Sequence, residues 1–321
     1  ESNRTIIGNG IIDPWNYNFD FTIEGSTFTK PIDLSFLDIH LRIADCIFES
    51  TNILTQSLKG DITIEGNVFN GSAPFSWTDI LVENFLEGNV TIRNNLCTSQ
   101  SLNGGGIAAY FPYDAGYLHL NEIGDSNFRI YNNTIIKTDL TDWLNGVFTN
   151  AYSPFSHLNI DVDVKNNVII GNSGVEQYGV VLHRLGTTGN NVVLDYGNND
   201  LHRFQAGNQY YSGVAGLPSI VLTPTDLVVD PLFLDPDNND YSLSWQSECI
   251  NSGAPVIFNP DGSPTDMGYQ YRHLTLGDSN DDSYLDILDV LFIVDVIMET
   301  VTPYNSQLWT ADYNSDNIID I

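Results

Sequence analysis

The chain is poor in positive charge. Only 11 Lys and Arg stand against 41 Asp and Glu, which gives a formal net charge of −30 over 321 residues. Nucleic acids and anionic membrane surfaces are bound through basic patches, so the composition argues against both as partners. The same shortage disfavours unassisted binding of polyanionic sugars. Short Asp side chains, in contrast, suit turns and hard-cation sites.

Long apolar runs and paired cysteines are also missing. No window approaches 18 consecutive apolar residues, so no membrane-spanning helix is expected. The three cysteines, Cys46, Cys97 and Cys249, leave at least one thiol unpaired, and no zinc-ligand spacing is present. Neither a basic n-region nor an apolar h-region follows Glu1, so we expect that any signal peptide has been removed or lies outside this sequence.

A short block recurs seven times along the chain. Its positions are apolar, any, apolar, two of any, small-polar or Asn, any, apolar, and the copies are FTIEGSTF (21–28), LRIADCIF (41–48), ITIEGNVF (62–69), VTIRNNLC (90–97), FRIYNNTI (128–135), VDVKNNVI (162–169) and LDYGNNDL (194–201). Each copy alternates with a period of two, which predicts a strand. One strand block every 20 to 38 residues predicts a solenoid of stacked parallel strands, with insertions in loops.

The sixth position of the block predicts an inward ladder. After Ser26 and Cys46 it is Asn in all five remaining copies: Asn67, Asn95, Asn133, Asn167 and Asn199. Stacked in register, each amide would form hydrogen bonds with the amides of the turns above and below. Cys46 and Cys97 also fall on inward positions, so they are predicted to be small buried hydrophobes. They lie two turns and two columns apart, too far for a disulfide.

Together the blocks resemble the pectin-lyase-like right-handed β-helix superfamily, over roughly residues 1–270. Residues 230–255 and TDMGYQY (265–271) look like the closing turns of many secreted β-helix proteins. The resemblance implies an all-β, right-handed parallel β-helix over residues 1–272 and an extracellular or cell-surface location. It implies no particular reaction, because one fold hosts many activities.

Residues 273–321 predict a small, α-helical calcium-binding module. A first loop fits the EF-hand-like scheme of 12 residues, with ligands at positions 1, 3, 5, 7, 9 and 12: Asp278, Asn280, Asp282, Tyr284 through its backbone carbonyl, Asp286 and Asp289. Alternate residues of a tight loop can all point at one ion, and calcium needs six to eight oxygen ligands. Without an ion these aspartates would repel one another.

A second loop repeats the scheme with Asp312, Asn314, Asp316, Ile318 (backbone carbonyl) and Asp320. Two such loops, each leading into an apolar helix, resemble a type I dockerin over about residues 276–321. A complete dockerin continues with a second helix, so we expect this sequence to be a fragment of a longer protein. The alternative for either loop is an acidic turn that binds no metal.

The module departs from the dockerin pattern at two places. The usual glycine at position 6 is Ser283 in the first loop and Asn317 in the second. The residues after position 9, which often help to choose the cohesin partner, are the apolar Ile287 and Leu288. Residues 287–300 are apolar nearly all round, which predicts a helix buried against a second helix, another chain or the β-helix itself.

Catalytic signals are sparse. The best cluster of bases and cations for a lyase is His183-Arg184, with His202-Arg203 further along. Asp161 and Asp163 share one outward strand face and could serve acid–base chemistry, although such pairs more often solvate a sheet. Residues 102–120 form a predicted loop with a flexible glycine run at 104–106. Its aromatic residues suit sugar stacking or a protein contact, and equally packing on the solenoid.

Two classes of function remain open. The first is a non-catalytic secreted or cell-surface protein with a structural, adhesive or assembly role. Its calcium module, solenoid ends or loops would bind a protein partner or further copies of the chain, because β-helix ends expose unpaired strand edges. The second class is an extracellular polysaccharide lyase or glycoside hydrolase with a dockerin-like attachment module. A glycan-binding module without turnover is a weaker third possibility.

Overall fold

The computed structural model describes residues 5–13, 16–71, 78–83, 87–98, 105–110, 125–137, 145–150, 159–174, 177–183, 191–211, 220–255 and 257–320. The strands and helices in chain order are β1 (Thr5–Asp13), β2 (Asn16–Glu24), β3 (Thr27–Phe28), β4 (Ile32–Ala44), β5 (Ile47–Glu49), β6 (Ile53–Glu65), β7 (Val68–Asn70), β8 (Thr78–Glu83), β9 (Glu87–Arg93), β10 (Leu96–Cys97), β11 (Gly105–Tyr110), β12 (Ser126–Tyr131), β13 (Thr134–Ile136), β14 (Asn145–Asn150), β15 (Asn159–Lys165), β16 (Val168–Ile170), β17 (Tyr178–His183), β18 (Asn191–Gly197), β19 (Asp200–His202), β20 (Tyr210–Tyr211), β21 (Phe233–Asp235), β22 (Asp240–Leu243), α1 (Ile287–Ile297) and α2 (Asn305–Ala311).

Most of the described strands stack into three parallel faces of seven segments each, the arrangement of a parallel β-solenoid. The exceptions are β1, which pairs antiparallel with β2, and the separate antiparallel pair of β21 and β22. The first face contains the N-terminal halves of β4 and β6, then β8, β11, β14, β17 and β20. The second contains β2, the C-terminal halves of β4 and β6, then β9, β12, β15 and β18. The third contains β3, β5, β7, β10, β13, β16 and β19. The predicted stacking of parallel strands is confirmed.

The repeated block sets the register of the second face. The first residues of the seven copies pair in sequence from strand to strand: Phe21, Leu41, Ile62, Val90, Phe128, Val162 and Leu194. At the fifth position the backbone is left-handed in every copy, with φ between 51° and 66°. Gly, Asn and Asp tolerate this conformation best, and they occupy that position in all seven copies. The bend turns the chain from the second face into the third.

The asparagine ladder is present as predicted. All five side chains are fully buried. The Nδ2 groups of the first four donate to the Oδ1 of the next asparagine at 3.0 Å, and Asn199 Nδ2 donates to the Tyr210 hydroxyl at 3.0 Å. At one end the backbone N–H of Cys46 donates to Asn67 Oδ1 at 3.0 Å. At the other, the N–H of Asn199 donates to the carboxylate of Asp226 at 2.9 Å. The ladder therefore ties the interior of successive turns together.

Small residues let the first and third faces approach each other. A Cβ on Gly106 would lie 2.5 Å from Ile135 Cγ2, and one on Gly146 would lie 2.3 Å from Ile169 Cγ2. The sequence suggested a flexible glycine run at 104–106, which is wrong for Gly105 and Gly106, because they begin strand β11. At Gly106 and Gly146, the absence of a side chain is required by the close packing of the two faces.

A second, smaller core lies on the outer side of the third face, where the closing turns pack along it. Val168 and Ile170 of the third face pack there with residues of the closing turns, among them Leu243 and Met267, and Trp309 of α2 packs against them. All three thiols, including Cys249 in this core, are buried and free. Neither helix in the described part of the chain is long and apolar enough to cross a membrane.

The apolar helix predicted over 287–300 forms as α1 but ends at Ile297. It is not buried by the described residues, because Ile287 is 66% and Leu291 53% exposed, and Met298 at its C-cap is 68% exposed. The expectation of burial followed from composition alone. The described residues thus leave a largely apolar helix surface open to solvent.

Candidate functional site

The first predicted calcium loop is closed by two buried carboxylates. Asp278, which is 5% exposed, accepts hydrogen bonds from the backbone N–H groups of Asp282 at 3.1 Å and Ser283 at 3.0 Å. Asp289, which is 3% exposed, accepts from Ser279 at 2.9 Å and from Asp286 at 2.8 Å. Positions 1 and 12 of the loop, 11 residues apart in sequence, therefore hold its two ends.

The turn at position 6 forms without a glycine. Ser283 has φ +68°, and Asp281, two residues earlier, has φ +60°. The left-handed conformation is less favourable for Ser than for Gly, but the hydrogen bond from the Ser283 N–H to Asp278 holds it in place. Asp286 at position 9 caps α1, accepting from the Leu288 N–H at 2.7 Å. The helix thus starts inside the loop.

The second loop repeats the first in backbone geometry. Asp312 accepts from the N–H groups of Asp316 at 3.1 Å and Asn317 at 2.8 Å. Asn314 Nδ2 donates to Asp316 at 3.0 Å, the same distance as from Asn280 to Asp282 in the first loop. Positive φ values recur at positions 4 and 6, with +59° at Ser315 and +63° at Asn317. Two segments of different sequence therefore adopt one conformation.

The remaining predicted ligands lie on the outer side of the loops. The side chains of Tyr284 and Ile318 are 72% and 60% exposed, as expected for residues that would contribute only a backbone carbonyl. Their N–H groups donate to Asp282 and Asp316 at 2.9 Å and 2.8 Å. Asp320, at position 9 of the second loop, is exposed.

The donors of both loops are carboxylate, amide and carbonyl oxygens, which fit calcium by chemistry. Among the described residues, however, no three His, Cys, Asp or Glu side chains converge closely enough to form a metal cage. The carboxylate oxygens of Asp278 and Asp289 are instead turned towards backbone N–H groups. Arg272 pairs with Asp281 at 2.7 Å, but Asp281 is at position 4 and is not a predicted ligand.

The helical segment is docked on the closing turns. Ser306 Oγ donates to the Trp245 carbonyl at 2.9 Å, and the rings of Trp245 and Tyr304 meet edge to face at 5.0 Å. Arg272 donates to the Leu243 carbonyl at 3.2 Å while it pairs with Asp281. Contacts therefore join both the first loop and α2 to the closing turns.

Two buried carboxylates accept hydrogen bonds from the backbone of the C-terminal segment. Asp266 accepts from the N–H groups of Asn251 at 2.8 Å and Arg272 at 2.7 Å, and burial raises its pKa to about 6. Asp200 accepts from the Val229 N–H at 3.0 Å and contacts the Cys249 thiol, and burial raises its pKa to about 7. Each carboxylate is held in place by the backbone of the closing turns.

A carboxylate cluster lies on the outer side of the second face. Asp161 and Asp163 of β15 project on one side of the sheet, as predicted. In the register of the neighbouring strand β18, Asp195 is opposite Asp163. Lys165 contacts Asp163 at 3.6 Å and also forms an ion pair with Asp195. Partial burial raises the pKa of Asp163, with Lys165 opposing and Asp195 adding to the rise. Asp195 was missed, although it holds the same second position of its block as Asp163.

The proposed histidine–arginine cluster is not brought together on one sheet. His183 is the last residue of β17 on the first face, and Arg184 lies outside the described residues. His202 belongs to β19 on the third face, where burial lowers its pKa. The aromatic residues of 111–120 also lie outside the described residues.

No protein-family model matches this chain, and no curated protein or solved structure is significantly similar to it.

Proposed function

We propose that this chain is a secreted or cell-surface right-handed β-helix of the pectin-lyase-like type, with a structural, adhesive or assembly role. Its C-terminal part is a dockerin-like module that binds calcium and attaches to the solenoid through the closing turns. The observation that carries the proposal is the repeated loop geometry, because two separate segments place Asp, Asn and Asp at alternate positions around the same backbone turns.

Calcium would relieve an electrostatic cost in the loops. Asp278 and Asp289 are buried carboxylates, whereas the ion pair that Arg272 makes with the first loop goes to Asp281. Burial of a carboxylate is costly unless it is paired. A divalent cation bound by small rearrangements of these side chains would supply the missing charge in both loops. The same charge would hold the module on the closing turns.

The docked module supports a structural role. Trp309 and the contacts of Ser306 and Arg272 hold the helical segment on the closing turns, which lie along the outer side of the third face. The exposed apolar surface of α1 is then a natural contact for a protein partner or a second copy.

A glycan-degrading enzyme is the second candidate, favoured by the cluster of Asp161, Asp163 and Asp195. Two carboxylates on neighbouring strands, one with a raised pKa, suit acid–base cleavage of a glycosidic bond. In this case Asp163 would be the proton donor and Asp195 the second carboxyl group of the pair.

Calorimetric titration of the purified chain, stripped with chelator, tests the calcium proposal. We expect calcium to bind more tightly than magnesium, and D278N or D289N to remove the site of the first loop. D161N, which removes an exposed carboxylate from the solenoid, is the matched control and should leave binding unchanged. Absence of calcium binding by the unsubstituted chain would contradict the proposal.

Sedimentation velocity and electron microscopy, with calcium and then with excess chelator, test the assembly role. Ordered oligomers that dissociate on chelation support it, and a monomer under both conditions contradicts it. Depolymerisation of extracellular glycans that is lost in D163N and D195N, but retained in D161N, would favour the enzyme instead.

A further inference from the structure

One lysine lies inside the solenoid and touches a buried aspartate. Lys137 is 3% exposed and Asp79 is fully buried, and Lys137 Nζ lies 2.7 Å from Asp79 Oδ2. The two residues are 58 positions apart in sequence. Asp79 is near the start of β8, and Lys137 directly follows β13, where its backbone N–H donates to Ile170 at 2.9 Å. Both backbones are therefore fixed by neighbouring strands.

A third reactive group completes the cluster. Cys97 of β10 is fully buried and its thiol contacts the Asp79 carboxyl group. Burial, followed by the charge of Asp79, raises the pKa of the Cys97 thiol well above its usual range. The thiol therefore keeps its proton and can donate a hydrogen bond to the carboxyl group. Cys97 itself belongs to the main apolar core, together with Ile107 and Ile135.

Proton transfer within this buried pair would prepare it for condensation. Transfer of one proton from the ammonium to the carboxylate would give an amine and a carboxylic acid in contact. Held in contact without competing water, an amine and an acid have a high effective concentration towards each other. Condensation would replace two ionisable groups by one neutral amide.

We propose that Lys137 and Asp79 condense to form an intramolecular isopeptide bond. The Nζ lone pair attacks Cγ of the protonated Asp79 carboxyl group, and the new C–N bond replaces one C–O bond. The departing hydroxyl leaves with a proton from the nitrogen as one molecule of water. The Cys97 thiol hydrogen-bonds to the carboxyl oxygen that becomes the amide carbonyl. The reaction needs no oxidant, reductant or cofactor.

Intact-mass spectrometry of the denatured full chain tests the proposal. We expect a mass lower than the sequence mass by one water, and a proteolytic fragment in which the peptides of Lys137 and Asp79 are joined. Cyclisation of Glu1 would also remove one water, so K137M is the matched control. It removes the amine, keeps the side-chain length and leaves Glu1 unchanged. The deficit attributable to the cross-link should disappear in K137M and in D79A.

D79N gives an independent check. In this variant, attack of Lys137 on the introduced side-chain amide releases ammonia instead of water, so the cross-linked product has the same mass as the cross-linked unsubstituted chain. C97A should lower the cross-linked fraction, whereas C97S, which keeps a donor, should restore it in part. A chain of full sequence mass, or a deficit that persists in K137M with no joined peptides, overturns the proposal and leaves an ordinary buried ion pair. Either result is independent of calcium binding.

Discussion

Replacing Asn167 with alanine tests the energetic role of the asparagine ladder. Its Oδ1 accepts from the N–H and Nδ2 of Asn133, both at 3.0 Å. Its Nδ2 donates to the carbonyl groups of Ile130 and Lys165 at 3.0 Å and 2.9 Å, and to Asn199 Oδ1 at 3.0 Å. The side chain is fully buried, so no water replaces these partners in the variant.

The magnitude follows from the groups that lose their partners. The Asn133 backbone N–H loses its acceptor in the interior, which costs about 2 kcal/mol. The Asn133 amide keeps its bonds to Ile92 and Tyr131, so its loss is smaller, about 1 kcal/mol. N167A should therefore lower the free energy of unfolding by about 3 kcal/mol.

The matched control is Asn127, whose side chain is also hydrogen-bonded to an asparagine of a neighbouring turn. Asn127 Nδ2 donates to Asn89 Oδ1 at 3.0 Å, but on the exposed side of the sheet. N127A should cost about 0.5 kcal/mol, because water replaces the lost partner. The assay is urea denaturation monitored by circular dichroism, with hydrogen exchange of the Asn133 amide as a local readout. Equal destabilisation by N167A and N127A would refute the reasoning.

Three further predictions concern other parts of the molecule. The pKa values of Asp200 and Asp266 are raised by burial to about 7 and about 6, so the folded chain binds these protons more tightly than the unfolded chain does. The stability they confer is therefore complete below about pH 4 and is lost as the pH rises towards about 7. Asp200 alone contributes about 4 kcal/mol to this change, and D200N should flatten the curve of unfolding free energy against pH, measured in chelator. S283G should stabilise the first loop by about 1 kcal/mol and raise the melting temperature, because glycine adopts the observed φ of +68° without strain; an unchanged or lower melting temperature would contradict this. G146A should lower the free energy of unfolding, measured by urea denaturation, by about 2 kcal/mol, because the added Cβ would lie 2.3 Å from Ile169 Cγ2. An unchanged free energy would show that the first and third faces can separate to accept the methyl group.

The predictable features are those that depend on residues at a fixed position of the repeated block. The inward asparagines and the pairing of all seven blocks follow from a pattern that each copy carries locally. The left-handed fifth position could also be found, since only Gly, Asp and Asn occur there. Asp195 was within reach of the same alignment, because the block register places it beside Asp163.

Other features depend on geometry between the repeats. Asp79 and Lys137 meet across 58 residues, and no block contains either of them. Gly106 resembles a loop residue by composition, yet it lies in a strand because an isoleucine of the third face occupies the space of its missing side chain. For α1, composition predicts burial, whereas exposure depends on which other elements reach it. These outcomes required the three faces to be placed against one another.

The direction of the asparagine ladder has a consequence for the length of the repeat array. In each bond between two asparagine side chains the donor is on the N-terminal turn and the acceptor is on the next turn. Asp226 accepts from the Asn199 N–H, but its side chain has no amide group that could donate to a further turn. An added turn would therefore find no donor at this position. A single acidic side chain terminates the series, and the choice between Asn and Asp there decides whether the array can be extended.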